Sequence, residues 1–272
     1  MQKHLFTYLL HLADNALVLG QRNAEWTGHG PVLEQDIAIT NISLDLIGQA
    51  RHFYQYAAKG FNQMAAEEKT AADQLLPRIW KSYGRELEED DLAMLRDEHQ
   101  YRNLLITELP KGDWAFSILR QYFFSVFQFY QYEALQCSTD PDIAAIAEKS
   151  IKETAYHVRW SAEWVIRLGD GTNESHQRIR QALSELWMFT GEFFEASPFE
   201  TSLASTGTGA DPAAIKQKWM DAVSVVFSEA GLDIPVAPAL QSGGKKGIHT
   251  EYMGYLLAEM QFLQRTYPNA QW

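Results

Sequence analysis

A single cysteine, Cys137, stands among the 272 residues of the chain. That scarcity excludes a disulfide framework and a thiolate metal cluster, and with no His/Asp set around it Cys137 reads as structural. No apolar run approaches the roughly 20 residues that a membrane-spanning helix needs. The opening Met-Gln-Lys-His-Leu-Phe-Thr lacks a secretory hydrophobic stretch, so the expected location is cytoplasmic. Basic residues are few: 23 Lys and Arg face 35 Asp and Glu, a formal net charge of −12. Such a balance argues against a nucleic-acid surface and against general affinity for an anionic membrane. An anionic ligand would need a local basic patch, for which Lys245–Lys246 and the Arg178–Arg180 neighbourhood are candidates. Alternating apolar and polar segments are also missing. Val225-Val226-Phe227 is short and lies inside a helical period.

What is present is helical periodicity. Leu5, Leu9, Leu12, Ala16 and Leu19 predict a helix over 4–24, broken by Gly28, Gly30 and Pro31. A second runs over 36–58 with Ile39, Ile42, Leu46, Ile47 and Ala50 on one face. Residues 59–90 read as a connector with short helical pieces around 64–83, and 90–109 as a helix ended by Pro110. The third long helix, 114–136, is rich in aromatics that read as core. The fourth opens at Asp140-Pro141 and runs to Leu168. Beyond it the pattern predicts helices over 174–195, 213–230 and 249–266, a loop over 197–212 and a Gly-rich turn over 241–247. Four long helices paired around a long connector imply an all-α, ferritin-like four-helix bundle. We expect one domain over 1–272, with its bundle core at about 5–168 and additional C-terminal helices at about 174–272.

Bundles of this kind hold two irons with one Glu from each of two helices and a Glu-x-x-His pair from each of the other two. His157 is present, but Thr154 stands three residues before it; a hydroxyl is a poor iron ligand and carries no charge. Glu153, four residues before His157, can share its helix face. On the second helix, Asp45, Leu46, Gln49 and His52 complete neither pair. The third has no acid between Asp113 and Glu133, and its middle, around Ser125, is hydroxyl and aromatic. On the first helix His11, Asp14 and Asn15 are polar candidates, with a surface position for Asp14 and Asn15 equally open. Lys152 could supply part of the charge balance that iron would otherwise give. Gly243-Gly244-Lys245-Lys246-Gly247 resembles a phosphate loop only loosely. It reads as a turn or as a basic edge for a partner or an anion.

With these residues in view, the chain resembles the C-subunit family of the bacterial multicomponent phenylacetyl-CoA epoxidases. The likeness is carried by residues 20–29, 44–51, 96–105, 120–123, 151–157, 243–251 and 258–265, in order along nearly the whole chain. The resemblance implies a role in phenylacetate catabolism, in an oxygenase complex with a homologous A subunit. That subunit is expected to hold the di-iron centre, and a separate reductase with a flavin and an iron–sulfur cluster to deliver electrons from NADPH. This chain would then be a structural subunit with no catalytic residues, metal or cofactor of its own, part of a hetero-oligomer. The A-subunit motif Lys-Glu-Glu-x-x-His aligns with residues 152–157 and puts its ligand Glu on Thr154. The motif Asp-Glu-x-x-His falls near Asp45, with Leu46 and Gln49 in place of Glu and His. Similarity also points to Gln100, Tyr101, Arg102 and Asn103, with the loop at Thr201, Ser202 and Leu203, as an acyl-CoA-facing surface. Phe53, Tyr54, Phe129 and Tyr130 are the candidate partner interface. A catalytic di-iron oxidase acting alone is the alternative.

Overall fold

The computed structural model describes residues 1–236, 241–267 and 270. Among them there are helices and no β-strand: α1 (Lys3–Ala24), α2 (Leu33–Asn62), α3 (Ala66–Ala72), α4 (Glu89–Met94), α5 (Leu105–Glu108), α6 (Trp114–Leu135) and α7 (Pro141–Gly169). They continue with α8 (Asn173–Leu186), α9 (Pro198–Ala204), α10 (Pro212–Ala230), α11 (Glu251–Met260) and α12 (Phe262–Thr266). The ferritin-like bundle is formed by α1, α2, α6 and α7, all within a few residues of the predicted limits. Helix α1 packs along α2, α6 packs along α7, and the two hairpins meet where α2 lies against α7. No helix among the described residues is long and apolar enough to cross a membrane.

Local chemistry sets the long elements. Asp113, Asp140 and Asp211 cap α6, α7 and α10 by accepting backbone N–H groups, and Pro141 and Pro212 sit in the first turns. Gly231, at φ +65°, ends α10 in the left-handed conformation. The aromatic face of α6 is core as expected: Phe123 packs against Trp187, Trp219 and Phe227, and Phe127 stacks on Phe193. One connected set of buried side chains runs from Phe6 to Leu232. Cys137, by contrast, is exposed just past the end of α6.

Three segments depart from the periodicity. Residues 90–109 form no continuous helix: α4 stops, a short 3-10 turn covers Glu98–Gln100, and α5 is four residues long. The reason is that buried side chains elsewhere take this segment's backbone donors. Arg102 N–H donates to Asp14, Leu104 N–H to Asn15 and Leu105 N–H to Glu192, each at 2.7 Å. An amide satisfied this way has no need of a helical carbonyl. Residues 174–195 divide into α8 and a 3-10 stretch, Trp187–Phe194. Inside the predicted loop lies α9, opened by Pro198 and a reciprocal capping box between Ser197 and Glu200.

Candidate functional site

The positions expected to be ligands face one another across α2 and α7, and they bond to each other. His157, fully buried, lies 3.1 Å from Asp45, which is about a third exposed. Gln49 donates to Glu153 at 2.9 Å. It also accepts from the Tyr132 hydroxyl at 3.2 Å, and that hydroxyl accepts from Gln128 at 3.1 Å. Burial pushes the Tyr132 phenol above its ordinary range, so it stays a neutral donor. Leu46 is a buried apolar side chain. The Thr154 hydroxyl donates to the Ser150 carbonyl one turn back, and so turns away from the site.

Ser125 lies apart, in a second ladder along α6. It accepts from Gln121, which accepts from Asn23 at 2.6 Å. Lys152 is exposed and balances nothing here. Among the described residues no group of three or more His, Cys, Asp or Glu side chains is placed to hold a metal ion. The donor set therefore does not fit a pair of irons. It forms a hydrogen-bonded seam of two carboxylates, two amides, one imidazole and one phenol.

Asp14 and Asn15 are neither surface residues nor part of this seam. With His11 they form a buried polar hub along α1. Asp14 pairs with Arg96, accepts from the Tyr54 hydroxyl and takes the Arg102 amide. Burial opposes the Arg96 charge, yet the Asp14 carboxylate outweighs it and holds the guanidinium above its ordinary value. Next to this pair, Glu200 accepts from Lys245 at 3.0 Å and lies 3.7 Å from His11. Burial favours the neutral His11, which is lowered despite that carboxylate. Glu108 accepts from His249 at 2.7 Å and from the Thr250 amide. Glu192 accepts the amides of Leu105, Gly243 and Gly244, and burial holds its carboxyl above the usual carboxylate range.

These contacts correct several expectations. Tyr101 and Asn103 are fully buried and Gln100 nearly so, which removes them from any ligand-facing surface. Tyr101 donates to the Ala93 carbonyl and lies under the Arg96 guanidinium, while Asn103 donates to Glu108. Gln100 donates to the Leu76 carbonyl. Leu203 is buried too; Thr201 is exposed and Ser202 half-buried. Lys245 is spent on Glu200, whereas Lys246 is exposed. Phe53 and Tyr54 are buried within the chain, so they cannot meet a partner; Phe129 and Tyr130 are half-buried. Arg178 pairs with Glu174 on the surface, and Arg180 is exposed.

Fold and site together define a ferritin-like protein whose expected ligand positions carry a hydrogen-bonded seam. The chain belongs to the family of phenylacetic acid catabolic proteins, whose model matches residues 1–272. It is similar to the C subunit of the 1,2-phenylacetyl-CoA epoxidase of Escherichia coli (strain K12), at 44% identity over 268 residues. That match covers 98% of this chain and 99% of the relative.

Proposed function

We propose that this chain is the non-catalytic, structural subunit of a multicomponent phenylacetyl-CoA epoxidase in aerobic phenylacetate degradation. In this reading it works in the cytoplasm beside a homologous A subunit, which holds the two irons and oxidises the ring. A flavin and iron–sulfur reductase supplies the electrons. The observation that carries the reading is the seam itself: Leu46, Gln49 and Thr154 stand where ligands are needed, and the remaining polar groups pair across the helices, Gln49 with Glu153 and His157 with Asp45. The similarity to a protein named as the C subunit of such an epoxidase supports the choice of complex.

A subunit without its own chemistry acts through an interface, and such interfaces are large and apolar at their core. Helix α2 offers an exposed apolar stripe for it. Leu33 is 72% exposed, Ile37 51% and Leu44 61%, at a spacing that puts all three on one side of the helix. An isolated chain rarely presents such a stripe without a partner. Replacing both Ile37 and Leu44 by Asp should abolish co-purification with the di-iron subunit while the helical circular dichroism is retained. Reconstitution tests the role as a whole: epoxidation of phenylacetyl-CoA by the A subunit and reductase should require this chain, and this chain with the reductase alone should give none. Turnover by this chain and the reductase alone would instead establish a catalytic di-iron oxidase.

A further inference from the structure

Three stretches that are far apart in sequence, around Arg102, Ser197 and Lys246, meet beside the start of α1 and enclose a cleft of about 200 Å³. Five basic side chains line it: Lys3, His4, Arg102, Lys245 and Lys246. No acidic side chain among the described residues does, although the chain carries −12 overall. Below its floor Glu200 answers the charge of Lys245. Lys3, Arg102 and Lys246 form no salt bridge with any described residue. Three cations without a salt bridge thus line one small space, and electrostatics favours an anion there.

The cleft is also built rigidly. Arg102 is fixed by donating to the His99 and Tyr101 carbonyls at 2.8 and 2.6 Å. Burial disfavours its charge and lowers its pKa, so an incoming anion would relieve that penalty. The Gly-rich turn that brings Lys246 packs directly on the 99–105 backbone. A Cβ on Gly244 would strike the Asn103 carbonyl, and one on Gly247, at φ +77°, would strike the His99 carbonyl. The glycines are therefore there for close approach, which places Lys246 beside Arg102.

We propose that this cleft is a binding site for a phosphate or diphosphate group. Its volume lies below the 300 Å³ or so at which pockets begin to enclose a whole drug-sized ligand. It accommodates the charged group and leaves the remainder of any larger molecule outside. Arg and Lys donors lining one cleft suit phosphate oxygens. The assignment stands on the cleft alone; only the choice of coenzyme A as one probe rests on the function proposed above.

Calorimetric titration of the full chain with pyrophosphate at low ionic strength tests it. Binding should weaken about tenfold in Lys246→Glu, the loss of one charge-assisted contact. Because the exposed Lys246 side chain makes no hydrogen bond with any described residue, this variant should fold normally. Arg102→Lys should weaken binding severalfold, and Arg178→Glu, on α8, should leave it unchanged. Coenzyme A bound with the same sensitivity to Lys246→Glu would trace the phosphate to a soluble coenzyme. Pyrophosphate binding without coenzyme A binding would trace it to a free anion. No pyrophosphate binding at millimolar concentration, or equal binding by wild type, Lys246→Glu and Arg102→Lys, would overturn the site.

Discussion

The polar seam between α2 and α7 and the polar hub beside α1 occupy the same bundle and are built to opposite rules. The seam is sparse, uses amide, phenol and imidazole groups, and opens to solvent at Asp45. The hub buries whole charges: Asp14 with Arg96, Glu200 with Lys245, Glu108 with His249. Its charges also do a mechanical task, since they bind the amides of a connector that is not helical. A bundle that holds iron needs its charge where the seam lies. In this chain the buried charge lies at the hub, where it fixes the connector and the C-terminal segment.

The comparison is broken most directly by cutting one member of each region. Asp14→Ala strands a fully buried Arg96 and two further hydrogen-bond donors, and should cost about 3–5 kcal/mol in denaturant unfolding. Gln49→Leu takes one donor from the half-buried Glu153 and the acceptor from the Tyr132 hydroxyl, which keeps its bond from Gln128, and should cost about 1 kcal/mol. Equal losses would erase the distinction. A smaller effect concerns pH. Burial opposes a charge on His249, but the hydrogen bond and charge of Glu108 outweigh it, so its pKa is raised. A histidine raised on folding stabilises fully below its unfolded value and loses that contribution as pH rises through the folded one. Stability should therefore fall with pH above about 6.5, and His249→Gln should flatten that slope.

The long helices were legible from their apolar period, and α6, α7 and α10 also from an Asp or Asp-Pro start. The connector was not. Nothing between residues 90 and 109 breaks a helix, and the groups that do so, Asp14, Asn15 and Glu192, lie more than 80 residues away. Missing ligands were legible at Thr154 from its spacing to His157, whereas the pairing of Gln49 with Glu153 depends on how two helices dock. Glu108 and Glu192 carry no local signal. Glu200 did carry one: Ser197-x-x-Glu200 is a capping box, enough to predict α9. Arg102 and Lys246 are each legible as basic candidates, but only the fold brings them to one cleft.

The central claim is that the seam replaces a metal centre, and the iron content of the chain tests it most directly. The chain should be expressed alone in iron-supplemented medium, purified, and measured by elemental analysis beside its near-ultraviolet spectrum. The account predicts well under one iron per chain and no oxo-bridged absorption band. Two irons per chain with such a band would contradict it.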